Sequence, residues 1–249
     1  MSEAGKAVDL SRVICVTNRR LVDEGTAQAG GEAVPGADSA AETEDWTPFL
    51  HRLAQVVHAR PRAVVLREKD LPPAAYERLA RAVLPICHDA HVPCLLHTYA
   101  DVAQRLGADG VHLPLALLAQ MPAAERQCIG VLGASCHSVA DVQAAERLGC
   151  RYVTLGHIYT TACKPGLPPR GRELLRRACA AVRLPVYAIG GITPTRLEEI
   201  LADGAAGACV MSGLMRGTDW LDGMGHGEEV ENDVQPEPGD YRKSLETRS

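Results

Sequence analysis

The residues whose types and spacing best suit chemistry lie in positions 152–171, YVTLGHIYTTACKPGLPPRG. An apolar run, Tyr152 to Leu155, ends in Gly156-His157, and a polar loop follows with Thr160, Thr161 and Lys164 among glycines and prolines. The run reads as a buried strand, and the loop as the segment leaving its carboxyl end. A flexible lysine beside two hydroxyls and a Gly-rich turn suits a phosphorylated or otherwise anionic ligand. The plainer alternative is a solvated loop with an ordinary surface lysine.

Such a loop needs a scaffold. Short apolar runs that read as strands fall at Val13–Val16, Ala63–Leu66, Pro93–Leu96, Gly110–Leu113, Ile129–Leu132, Tyr152–Leu155, Val186–Ile189 and Ala208–Met211. Between them, stretches such as Ala74–Leu84, Val139–Leu148, Arg172–Val182 and Pro194–Ala202 carry apolar residues at helical spacing. Thr193-Pro194 reads as an N-cap followed by proline at the first helical position. Eight strands with intervening helices predict an α/β chain closed into a single parallel (β/α)8 TIM barrel spanning residues 10–221. Glu24–Glu44 breaks the rhythm as an acidic, Gly/Ala-rich insert after the first strand, read as disordered or as a partly ordered lid. Residues 222–249 read as a disordered acidic tail.

In a parallel barrel the strands' carboxyl ends share one face, and chemistry collects there. Those ends gather Arg67, Glu68, Lys69 and Asp70; His97-Thr98; His112; Ser135-Cys136-His137; and the loop from His157 to Lys164. Arg67, Lys69 and Lys164 make that face basic in a chain whose formal charge is −5. Gly190-Gly191 and Met211-Ser212-Gly213 end the last two strands, where a barrel often builds a phosphate site from backbone N–H groups. Of the histidines at strand ends, His137, flanked by Ser135 and Ser138, is the best candidate acid or base; His157 equally suits a supporting role.

Composition excludes several functions. The 249 residues are 46% apolar, ample for a core, and the negative charge leaves no nucleic-acid footprint. No apolar run approaches the ~18–20 residues of a membrane span. The opening MSEAGKAVDLSR lacks a secretory pattern. Nine cysteines with no C-x-x-C read as free, mostly buried thiols in the reducing cytoplasm, and no pair shows metal-ligand spacing.

Three motifs carry a family resemblance: Val65-Leu66-Arg67-Glu68-Lys69-Asp70, Gly107-Ala108-Asp109-Gly110-Val111-His112-Leu113, and Ala188-Ile189-Gly190-Gly191-Ile192. They resemble the thiamine phosphate synthase/TenI superfamily, whose fold is a (β/α)8 barrel, over about Val13 to Met215. The superfamily's synthases couple a pyrimidine pyrophosphate to a thiazole phosphate using Mg²⁺. Their third strand usually ends in Asn-Asp and their fourth continues into Gly-Gln-Glu-Asp, where this chain has His97-Thr98 and Pro114-Leu115-Ala116-Leu117. A glutamine usual before the Arg-Glu-Lys motif is Val65 here. Mg²⁺ needs oxygen ligands, so these departures speak against the synthase. Ser135-Cys136-His137-Ser138, Gly156-His157, Cys163-Lys164 and Val210-Met211-Ser212-Gly213 are similar to the TenI branch instead.

The resemblance then implies a thiazole tautomerase, an isomerase. His137 moves the proton that aromatises a carboxythiazole phosphate. Arg67, Lys69, Ser135, Thr160, Thr161 and Lys164 hold substrate; Gly190, Gly191, Met211, Ser212 and Gly213 hold phosphate. It implies a small phosphorylated thiazole as partner, no metal or other cofactor, and a homo-oligomer of two or more chains. Two alternatives stay open. One is the synthase itself; the other is a non-catalytic ligand-binding barrel, which the acidic insert and tail favour because such segments often contact partners.

Overall fold

A computed structural model describes residues 8–22, 45–217 and 219–221. The acidic insert and the tail lie outside the described residues. Eight strands, β1 Val13–Val16, β2 Ala63–Leu66, β3 Cys94–His97, β4 Gly110–Pro114, β5 Val131–Cys136, β6 Tyr152–Gly156, β7 Val186–Ile189 and β8 Gly207–Val210, pair in parallel in chain order. β8 returns to β1, so the sheet is a closed barrel. Around it lie α1 Thr47–His58, α2 Pro73–Asp89, α3 Ala100–Leu106, α4 Leu115–Gln120, α5 Ala123–Gln127, α6 Val139–Arg147, α7 Gly171–Ala181, α8 Pro194–Ala202 and α9 Ser212–Met215.

Two apolar bodies result. The larger packs the outer faces of the strands against the helices, through residues such as Phe49, Leu53, Leu79, Val142 and Ile200. The smaller fills the barrel with Ile14, Val16, Ala63, Val65, Leu95, Val131, Tyr152, Tyr187 and Cys209. Successive strand residues face opposite sides. That parity sends Arg67, His97, His112 and Ser135 up the same inward-facing rows to the barrel's carboxyl mouth.

Several boundaries differ from the sequence reading. β5 begins and ends later than Ile129–Leu132 and takes in Ser135 and Cys136. The small residues Gly133-Ala134-Ser135 look like a loop but are strand, because the Tyr152 ring occupies the space beside Gly133: a Cβ there would lie 2.3 Å from the ring. β3 is shifted one residue to end at His97, and β8 one residue the other way to end at Val210. The helix expected over Ala74–Leu84 continues to Asp89 through an internal Pro85. Thr193 sits at the N-cap of α8 with proline next, but its side chain makes no cap bond and meets the Thr195 hydroxyl instead.

All nine cysteines are free, six of them buried. Among the described residues no helix is long and apolar enough to cross a membrane.

Candidate active site

The β2 end is locked by a carboxylate that points away from the site. Thr17, just past β1, donates its hydroxyl to Glu68 Oε1 at 2.6 Å and accepts the Arg67 N–H at 2.9 Å. The Arg19 N–H reaches both Glu68 oxygens at 3.1 Å, and the Arg19 guanidinium lies 3.4 Å from Oε2. Burial raises the Glu68 carboxyl above its ordinary range, opposed by those Thr17 and Arg19 hydrogen bonds. Asp70 is likewise held by Arg19 and Arg20, each at 2.9 Å. The acidic members of Arg67-Glu68-Lys69-Asp70 are thus consumed in fixing the turn, which leaves the two cations for the mouth.

The loop after β6 brings the third cation. Its two ends are pinned together: Arg170 N–H donates to His157 O at 2.9 Å, and Gly171 N–H to Ile158 O at 3.1 Å. Ile158 and Tyr159 also donate to Ile189 O and Gly190 O of the neighbouring turn. His157 is a buried anchor in this base, its Nε2–H reaching Leu167 O at 3.3 Å. At the loop's tip Cys163 N–H donates to the Thr161 hydroxyl and Lys164 N–H to Thr161 O, a turn that presents Lys164 to solvent. The loop reaches across to β2. Burial lowers Lys69 from its ordinary value, and the charges of Arg67 and Lys164 lower it further; Arg67, lowered first by burial, also senses Cys163. Among the described residues Lys69 and Lys164 form no ion pair, and the Arg67 guanidinium donates to Met211 Sδ, at 4.0 Å.

Beneath these cations lies a neutral polar floor. His112 shares hydrogen bonds of 2.8 Å with Tyr152 Oη through Nδ1 and with Ser135 Oγ through Nε2. The His97 ring lies 6.0 Å away, centroid to centroid, with Nδ1 on the Thr98 hydroxyl at 2.7 Å. Burial drives His112 down to about 3 and His97 to about 4, helped by the nearby Arg67 in both cases. Both rings are therefore uncharged near neutral pH and act as hydrogen-bonding groups, not cations. Thr98 holds φ at +76°, strain of about 1–3 kcal/mol for a β-branched residue.

The exposed His137 donates Nδ1–H to Gly156 O at 2.9 Å. Its backbone N–H is held by Asp141 at 2.7 Å. Gly190 and Gly191 have φ of +97° and +67°, and a Cβ on either would collide with the β6 loop, at 2.3 Å from His157 Cβ and 2.4 Å from Thr160 O. These glycines therefore let the loop close onto β7. Ser212 and Gly213 open α9, so their N–H groups have no intrahelical partner. Gly213 lies against buried Trp220.

The structure thus gathers Arg67, Lys69 and Lys164, with Ser135 joined to the floor below. Thr160 and Thr161 sit in the same loop but help shape it. Sequence reasoning missed Tyr152 as a site residue, although alternation along β6 puts it on the inward face with Gly156. It also missed the Met211 sulfur as the contact of Arg67.

The Mg²⁺ that synthases of the resembled superfamily use finds no fitting donor set among the described residues. Past β3 and β4 stand Thr98 and Leu115-Ala116-Leu117, and Glu68 and Asp70 are bound elsewhere. Among the described residues no group of three His, Cys, Asp or Glu side chains is placed to hold a metal.

Comparison with known proteins corrects the isomerase reading. The chain is 37% identical over 178 residues to the thiamine-phosphate synthase of Chlorobium luteolum, covering 70% of this chain and 83% of that one. It is 38% identical over 176 residues to that of Roseiflexus castenholzii, covering 67% and 76%. A solved structure, thiamine phosphate pyrophosphorylase from Pyrococcus furiosus, superposes over 96% of each chain with a TM-score of 0.66 at 22% identity, a likeness of fold. The tautomerase expectation rested on a handful of strand-end positions. The relatives matching across the barrel are named as synthases, which are transferases, and overturn it. The family model described as thiamine monophosphate synthase matches residues 39–214, and the chain belongs to that family.

Proposed function

We propose that this chain is a thiamine-phosphate synthase, joining a pyrimidine that carries a pyrophosphate to a thiazole that carries a phosphate. The observation that carries this reading is that Arg67 and Lys164 both act on Lys69 at one mouth, and that among the described residues none of the three forms an ion pair. Around the ring, the glycine turns of β7 and β8 lie between β6 and β2. Two phosphorylated substrates need two anion positions. The cations, with the Thr160 and Thr161 hydroxyls alongside, suit the pyrophosphate. The backbone at Gly190, Gly191, Met211, Ser212 and Gly213 suits the single phosphate. Ser135 and His137 lie at the β5 end, where the two rings would meet.

The chemistry fits the groups present. Coupling forms one C–N bond, from the thiazole nitrogen to the pyrimidine methylene, and breaks one C–O bond, releasing pyrophosphate. That nitrogen carries no proton, so bond formation requires no general base. The demand is for positive charge where the leaving oxygen becomes anionic, and preorganised cations supply it. His97 and His112, uncharged, offer hydrogen bonds to a heterocycle. The nine free thiols support placing the reaction in the cytoplasm, and the family resemblance supports an oligomer of two or more chains.

Purified full-length protein given both precursors should form thiamine phosphate, with kcat/KM falling by about 10²-fold or more in Arg67→Ala. One observation favours a second reading: the scarcity of metal-holding carboxylates suits a barrel that binds without turnover. Pyrophosphate-ester binding with no thiamine phosphate formed would select that reading.

A further inference from the structure

The cationic mouth and the missing carboxylates belong together. Mg²⁺ at a phosphate site usually keeps one or two protein carboxylates and fills its remaining positions with phosphate oxygens and water. At this mouth the two carboxylates nearest in sequence to the cations are bonded away from them: Glu68 to Thr17 and Arg19, Asp70 to Arg19 and Arg20. The positions past β3 and β4 offer a threonine hydroxyl, itself bonded to His97, and aliphatic side chains. The mouth instead presents Arg67 and Lys69 just past β2 and Lys164 in the loop after β6, and the charges of Arg67 and Lys164 both act on Lys69. A divalent cation entering this cluster would meet repulsion from three sides and, among the described residues, no free carboxylate in return. A pyrophosphate group entering it meets three cations that, among the described residues, form no ion pair.

We infer that this chain holds the pyrophosphate group directly on Arg67, Lys69 and Lys164, without a divalent metal between protein and phosphate. The inference rests on the synthase reading only for the identity of the natural anion. Lys164 comes from the pinned loop after β6 and Lys69 from the turn after β2, so the anion would also clamp the loop tip across the mouth. The cluster takes over the neutralising role that the metal plays in the superfamily's synthases.

Calorimetric titration of the full chain with inorganic pyrophosphate tests this. In excess EDTA, binding is expected, and no tighter when Mg²⁺ is supplied instead. Lys69→Met and Lys164→Met should each weaken it by about tenfold or more. Arg81→Ala, on the exposed face of α2, should leave it unchanged. Thermal melts matching wild type would show that the lysine variants are folded, as their solvent exposure leads one to expect. Binding that appears only with Mg²⁺, affinity indifferent to both lysines, or no binding in either condition would overturn the inference. Metal-free binding in a protein that forms no thiamine phosphate would leave the inference standing and remove the synthase reading.

Discussion

His97 and His112 show how single residues are tuned at this mouth. Burial and the nearby Arg67 hold them neutral, with values of about 4 and about 3 against an ordinary 6.5. The unfolded chain therefore binds more protons than the folded one below pH 6.5. Stability contributed by the neutral rings is full above that point and is lost as pH falls toward about 4, a loss of about 3 kcal/mol for each ring. In His112→Gln, the slope of unfolding free energy between those pH values should flatten, measured by urea unfolding at several pH values. His137 differs in kind. Coupling needs no proton transfer, so His137→Ala should cost less than the ~10²–10⁴-fold that positioned acid–base catalysis supplies, read as kcat/KM for coupling. Cations and histidines were legible from their places after apolar runs. The Tyr152–His112–Ser135 chain was not, because its partners sit 40 and 23 residues apart and meet only once the barrel closes.

At the scale of elements, glycine turns decide how the β6 loop is seated. Gly190→Ala would push a methyl into His157 Cβ and impose a left-handed φ on an L side chain. We expect destabilisation of about 1–3 kcal/mol, seen as a lower urea midpoint with unchanged slope, together with weaker binding of phosphorylated ligands. Sequence reading located all eight strands because buried parallel strands are continuous apolar runs that stand out between helices. It placed β5 two residues early, since Gly133-Ala134-Ser135 carries a strand with little apolar bulk, the bulk being supplied by Tyr152 across the barrel. The loop base also escaped it. The bonds from Arg170 to His157 and from Gly171 to Ile158 are backbone contacts, and side-chain type says nothing about them.

For the whole molecule, charge is organised against its own average. The chain carries −5 overall, yet its mouth is cationic, because Glu68 and Asp70 turn outward to Arg19 and Arg20. Partly exposed charges are screened by salt, so KM for the pyrophosphate substrate should rise several-fold as ionic strength climbs from ~0.05 to ~0.5 M, with little change in kcat. The family, too, is a property of the whole. Departures at His97-Thr98 and Pro114-Leu115 drew the sequence reading toward an isomerase, whereas similarity spread over some 178 residues assigns the chain to the synthase family. Local substitutions at strand ends report how a site handles its ligands; the scaffold that presents them is conveyed by the full barrel. The most direct test of the synthase account is phosphorus NMR of the full chain incubated with the pyrimidine pyrophosphate and the thiazole phosphate. The account predicts that pyrophosphate and thiamine phosphate appear in equal amounts, and that Arg67→Ala suppresses both. Precursors that persist unchanged at high enzyme concentration, with or without Mg²⁺, would contradict it.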